Sequence, residues 1–288
     1  MGPTSTGRSA PTTLDPFESL GIVSGAASDP GRDRLINEDA WLATTPVFLV
    51  ADGMGGHRAG NVASSIVVEK FDALARSGRV DADAVGACLS KCEAAIIDRI
   101  EGSVDAAPGT TLVAAIAVSL TGEAYWLIVN IGDSRAYQWA DGSLQQLTKD
   151  HSVVQELIDA GEITEQQAHL HPERHVITRA LGALEDSPAD YSLIPMVAGS
   201  RILLCSDGVT SELGDEELAH VLSLGEPASE AARNVVARAV AAGGHDNVTA
   251  VVISVLGDAD QPEETEGRAH LQTQEEDTIR IRSTRHGR

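Results

Sequence analysis

Four aspartates stand where apolar, strand-like runs meet glycine or a turn. Asp52 closes the run Val47–Ala51 and precedes Gly53, and Asp133 follows Tyr125–Gly132. Asp207 closes Arg201–Ser206 and precedes Gly208, and Asp246 precedes Asn247 and the run Val248–Ile253. A carboxylate at the end of a buried strand is costly to take out of water unless it is paired or bound to a cation. Any one of them alone could merely cap a turn, because Asp-Gly is a common turn sequence. Four such ends in one chain point to a shared site. Oxygen donors without a His/Cys cluster favour a hard divalent cation, Mg2+ or Mn2+.

Such a site needs strands to present it. Strand character is expected over 21–27, 40–44, 47–51, 111–120, 124–131, 134–140, 201–206 and 247–256. Asp141-Gly142 reads as a hairpin turn with 145–147 as its return arm. Helical periodicity runs over 61–77 and 82–100; further helices are expected over 216–224, capped by Asp215, and over 229–242. Strand runs interleaved with helix pairs, without regular β-α-β alternation, predict an antiparallel α+β architecture. The segment 148–181 is a polar insertion with two short helices, 152–160 and 164–170. The second opens with Thr164 and Gln167 at capping-box spacing.

Composition sets the frame. Aromatics are only 3% of the 288 residues, so aliphatic side chains must fill the core. A formal net charge of -22 argues against nucleic acid or an anionic membrane as partner. Part of that acidity would be neutralised if it served as metal ligand. Cys88, Cys92 and Cys205 are too few, and odd in number, for a disulfide framework, which predicts a reducing compartment. Cys88 and Cys92 read as core positions on one helix, and no Arg stands six residues after any cysteine, so a cysteine-based phosphatase loop is excluded. The apolar stretch 112–131 is broken by Thr121-Gly122-Glu123 and reads as a hairpin rather than a membrane span. With no apolar leader or span legible, a cytoplasmic location is expected. Residues 1–17 and 257–288 have the composition of disordered segments, leaving one domain over 18–256.

Eight blocks then fall in an order that resembles one family. They are Arg34–Ala40, Asp52–His57 with Gly60, Gly109–Thr111, Gly132–Arg135, Leu147–Ser152, Ile177–Gly182, Cys205–Gly208 and Asp246–Thr249. Together they resemble the metal-dependent protein phosphatases, PPM or PP2C, in their bacterial form. The resemblance implies a four-layer αββα sandwich, two antiparallel sheets flanked by helix pairs. It also implies hydrolysis of phosphoserine and phosphothreonine in proteins, opposing a serine/threonine kinase, by a water activated between two Mg2+ or Mn2+ ions.

By that resemblance Asp52 bridges the two ions and the Gly53 carbonyl faces the second. Asp207 and Asp246 complete the first ion's shell, and Glu38 and Asp39 hold the second, directly or through water. Arg34 resembles the family's phosphate-binding arginine; a guanidinium fork matches two phosphate oxygens. Asn247 is expected to orient Asp246 or a metal water. The segment 148–181 matches the family's flap beside the active site, expected to steer substrate choice. Its histidines, His169, His171 and His175, read as surface residues, since their spacing fits no familiar zinc site.

Two departures stand out. Eukaryotic members carry a His directly after Asp-Gly, proposed as the acid for the leaving group; Met54 stands there and His57 comes three residues later, which reads as helix-start hydrogen bonding. The family usually has another Asp four residues after the Asp207 position, which with Asp133 holds a third, weaker ion. Ser211 stands there, so the third site is expected to be weak or empty. A catalytically silent binding module with the same fold is the competing class; Ser211 favours it, and the retained carboxylates and Arg34 count against it. In the tail, Thr278 between acidic residues and Ile281 resembles a phosphothreonine ligand of forkhead-associated domains.

Overall fold

Alternation along the strand Val47–Met54 sends Val47, Leu49 and Ala51 to one apolar cluster and Phe48 and Val50 to another. A strand buried on both faces reads as a continuous apolar run, and both faces of its sheet must then be covered. The computed structural model describes residues 20–55, 59–78, 80–100, 109–168, 170–182 and 187–257. Residues 1–17, the tail from 258 with Thr278, and His57 and His169 lie outside them.

One antiparallel sheet has the order β1-β11-β10-β7-β8, with β1 at Gly21–Asp29, β7 at Arg135–Ala140, β8 at Ser143–Gln146, β10 at Arg201–Cys205 and β11 at Val248–Leu256. The other runs β2-β3-β5-β6-β9, with β2 at Asp39–Thr44, β3 at Val47–Met54, β5 at Leu112–Leu120, β6 at Glu123–Ile131 and β9 at Asp190–Pro195. The short β4, Gly109–Thr110, pairs with the end of β3. Helices α1 (Ala59–Arg76) and α2 (Ala82–Ile100) cover the outer face of the second sheet through Val67, Phe71, Cys92 and Ile96. Helices α6 (Asp215–Ser223) and α7 (Ala228–Ala242) cover the first through Leu218, Val221, Val235 and Ala239. Phe48, Trp126, Ile202, Leu204 and Ile253 fill the layer between the sheets. The expected αββα sandwich is the observed architecture. Among the described residues no helix is long and apolar enough to cross a membrane. All three cysteines are free and buried.

Local signals held in detail. Asp141 and Gly142 both have positive φ, 51° and 77°, the left-handed pair of a tight hairpin turn. Ser152 caps α3 (Val153–Asp159), and Thr164 and Gln167 exchange the two hydrogen bonds of a capping box, 2.8 and 3.3 Å, ahead of α4 (Glu165–Ala168). Asp215 is a correction: it is the first residue of α6 rather than its cap, and Gly214 takes the cap position without a side-chain bond. Three elements had not been expected, the short strand β4, the edge strand β9 and the one-turn helix α5 (Asp207–Thr210).

Candidate metal centre

The inter-sheet layer is apolar through Val50, Val113, Ile128, Leu204 and Val251. One side-chain period further along the same strands, toward one end of the sandwich, stand Asp52, Thr111, Asn130, Ser206 and Thr249. The site is therefore the polar end of the central core. Asp39 joins it because it pairs directly with Asp52 across β2 and β3.

Hydroxyls hold this end together. Thr111 Oγ1 accepts the Asp52 N–H at 3.1 Å, and the Asp52 carbonyl takes bonds from Thr111 N and Thr110 Oγ1, both at 2.9 Å. That is the structural work of the Gly109-Thr110-Thr111 block. Across the gap between sheets, Ser206 Oγ donates to Asp39 Oδ2 at 2.8 Å and accepts the Thr249 N–H at 3.0 Å. Asn247 does more than the expected orienting of Asp246. Its side chain clamps the 30–38 loop, with Nδ2 donating to the Pro30 and Ile36 carbonyls at 3.0 Å and Oδ1 accepting the Glu38 N–H at 2.8 Å. Asp246 is oriented by the Asn247 backbone N–H, 2.8 Å from Asp246 Oδ1. Arg34, on the clamped loop, donates from Nη2 to Asp246 Oδ2 at 2.7 Å.

The carboxylates crowd one another. Desolvation, and then the charges of Asp39, Asp207, Asp133 and Asp246, push the Asp52 carboxyl well above the ordinary range. Burial pushes Asp39 up to about 7 against the bonds from Thr249 and Ser206, with Asp207 and Asp246 adding repulsion. Asp207 is raised by burial and by Asp246, and Asp133 by burial, Asp207 and Asp150. Partly buried carboxylates kept this close need positive charge among them. Two carboxylate oxygens, Glu38 Oε1 and Asp39 Oδ1, also lack a hydrogen-bond partner, as does the Asn130 side-chain oxygen at the same end. Buried oxygens without donors fit the donor set of a hard cation. Among the described residues, no three acidic, His or Cys side chains already close around one point as a cage. A strongly hydrated ion does not require one, since Mg2+ keeps several waters and takes one or two carboxylates.

Glycines let the backbone carrying these groups come together. A Cβ on Gly53 would lie 2.3 Å from the Gly60 carbonyl oxygen, so the end of β3 and the start of α1 are in backbone contact. A Cβ on Gly208 would lie 2.0 Å from the Asn247 carbonyl oxygen, so α5 is pressed against the entry to β11. That second contact brings Asp207 beside Asp246.

Asp133 leads into the flap. Arg135 turns away from it and pairs in two-pronged fashion with Asp150, Nη2 to Oδ2 at 2.7 Å and Nε to Oδ1 at 2.9 Å. Buried His151 accepts the Gly132 N–H on Nδ1 at 3.1 Å, which leaves Nε2 to donate to Asp190 Oδ2, also at 3.1 Å. Arg179 donates to Asp190 Oδ1 at 2.9 Å from the other end of the flap. Paired bridges Ser152↔Ile177 and Thr110↔Leu181 complete the attachment. The sequence singled out none of His151, Asp190 or Arg179 as site-supporting, although two of them sit inside matched blocks. His151→Leu would leave the buried Gly132 N–H unpaired and is expected to cost about 1–3 kcal/mol. Thermal denaturation, with limited proteolysis within 148–181, would read that loss; an unchanged midpoint and cleavage rate would refute the role.

The remaining expected residues are placed plainly. His171 is partly buried, its ring accepting the Glu173 N–H at 3.2 Å, and His175 is exposed but near enough for its charge to act on Asp207. Ser211 is exposed at the end of α5.

A sandwich of two antiparallel sheets with acidic strand ends at one edge defines a class, and the comparisons agree. The Protein phosphatase 2C family model matches residues 31–242, and the chain belongs to that family. It is 41% identical over 246 residues to the serine/threonine protein phosphatase PstP of Mycobacterium tuberculosis, covering 83% of this chain but only 46% of that protein. It is 36% identical over 238 residues to the serine/threonine phosphatase stp of Listeria monocytogenes, covering 78% of this chain and 93% of that one. The crystal structure of the PstP catalytic domain in complex with two manganese ions superposes with a TM-score of 0.74 at 36% identity, over 82% of this chain and 99% of that chain.

Proposed function

We propose that the protein is a metal-dependent serine/threonine protein phosphatase, acting on phosphorylated proteins opposite a serine/threonine kinase in a reducing, cytoplasmic setting. The observation that carries this reading is the set of mutually repelling carboxylates with the orphaned Glu38 and Asp39 oxygens, next to an exposed Arg34 fork paired with Asp246. Asp52, the Gly53 carbonyl, Asp207, Asp246, Glu38 and Asp39 would hold two divalent ions, Mn2+ or Mg2+. Such a pair supplies Lewis acidity, lowering the pKa of a water and neutralising phosphoryl charge. Arg34 would bind phosphate oxygens, exchanging its bond to Asp246 for the substrate. Thr110, Thr111 and Ser206 fix the carboxylates in place, and the Asn247 clamp sets the reach of Arg34. In the tail, a phosphorylated Thr278 would offer a forkhead-associated-domain partner its ligand.

The test is phosphate release from a phosphothreonine peptide with Mn2+, with EDTA and Asp207→Asn as controls. Release abolished by both is the expected result; no release by folded protein at millimolar Mn2+ would move the reading to a silent binding module. We further propose that Asp133 lacks a strong partner for a third ion because Ser211 is neutral. Ser211→Asp sits on an exposed helix end and is expected to leave folding unchanged. A Mn2+ titration by calorimetry should gain a further weak site in the variant, and an equal number of sites in both proteins would refute the idea.

A further inference from the structure

The loop 30–38 is polar except for Pro30, Gly31, Leu35 and Ile36. Leu35 is fully exposed, at 101% of its reference surface, and Ile36 is 42% exposed. The backbone that presents them is fixed. Asn247 Nδ2 holds the Ile36 and Pro30 carbonyls at 3.0 Å, Asn247 Oδ1 holds the Glu38 N–H at 2.8 Å, and Arg34 is tied to Asp246 at 2.7 Å. A rigid loop thus displays a bare leucine one residue from the arginine that would meet phosphate. Exposed apolar side chains thus adjoin the arginine on a chain whose net charge is -22.

We propose that Leu35, with Ile36 beside it, is a specificity-determining contact that seats an apolar side chain flanking the phosphorylated residue of a protein substrate. The inference rests on the phosphatase reading above. Continuity with Arg34 selects a substrate chain as occupant. A few exposed side chains offer far less than the roughly 1,200–2,000 Å2 that a stable protein–protein interface buries, which fits a short segment rather than a second copy. Seating a methylene-rich side chain is a graded preference and not an absolute one.

The experiment compares kcat/KM of the full Mn2+-loaded chain on phosphothreonine peptides that carry Leu or Ser at each position from two before to two after the phosphothreonine. Wild type is expected to favour Leu at one or more of these positions by about tenfold, and Leu35→Ser to lose most of that preference. Turnover of p-nitrophenyl phosphate, too small to reach Leu35, is expected to be equal in the two proteins. Equal rates on all peptides in wild type, or a preference that survives Leu35→Ser, would overturn the proposal. So would a dimer in ultracentrifugation that Leu35→Ser dissolves while peptide preference stays, since the patch would then join copies of the chain. Failure of wild type to hydrolyse p-nitrophenyl phosphate would strike the phosphatase reading itself, and this inference with it.

Discussion

Asp52→Asn is expected to abolish phosphate release, by a thousandfold or more, about 4 kcal/mol of transition-state stabilisation. In chelator it is expected to make the protein more stable. Asp52 is the carboxyl with the most charged neighbours acting against it, from Asp39, Asp207, Asp133 and Asp246. An amide keeps the shape and removes the repulsion, and the thermal midpoint should rise by about 2–4 °C for each kcal/mol relieved. The same physics gives a pH dependence. A carboxyl raised in the folded state binds its proton more tightly there than in the unfolded chain. Its ionisation therefore opposes folding, fully above the folded pKa and not at all below the unfolded value. For Asp39, raised to about 7, that window runs from just above neutrality down to about pH 4, its unfolded pKa. In EDTA the midpoint should fall as pH rises from about 5 to about 7, and Mn2+ should reverse the fall. Loss of activity in Asp52→Asn without any gain in chelator stability would show that the acidic cluster is not strained by its own charge.

Gly208→Ala is the second large effect, and it acts through backbone alone. The added methyl would lie 2.0 Å from the Asn247 carbonyl oxygen and 3.0 Å from its carbon, neither of which belongs to a side chain able to swing aside. Relief requires α5 to move off the start of β11, which carries Asp207 away from Asp246. Misplacement by about 1 Å can cost a hundredfold in rate, and overpacking costs about 1–3 kcal/mol. A drop of at least that size in kcat, with Mn2+ affinity weakened in calorimetry, is expected. Wild-type affinity in the variant would mean that the contact does not set the spacing of the two carboxylates.

The carboxylates were legible because the signal is local: an apolar run, an Asp, a Gly. The sandwich was legible for the same reason, since period-2 runs and amphipathic helices write their own boundaries. What stayed hidden is long-range. Asn247 reaches Glu38 from 209 positions away, and His151 reaches Asp190 from 39. Nothing at either end announces the partner. The strand β9 is an edge, with Tyr191 and Leu193 half exposed and Ser192 between them, so its short pattern carries little apolar weight. Asn247 orients Asp246 as its adjacency suggests, through its backbone N–H, while nothing local announces its side chain's hold on the opposite loop.

Asp39 and Asp52 belong to one sheet, whereas Asp207 and Asp246 sit at strand ends of the other. Whatever binds among them fastens the two halves of the sandwich at one end, as a rivet joins two plates. Cation supply would then govern how long the molecule survives as well as how fast it turns over. A cell short of that cation would hold a population whose sheets part more readily at that end and which proteases clear sooner, so scarcity would thin the protein's numbers along with any turnover.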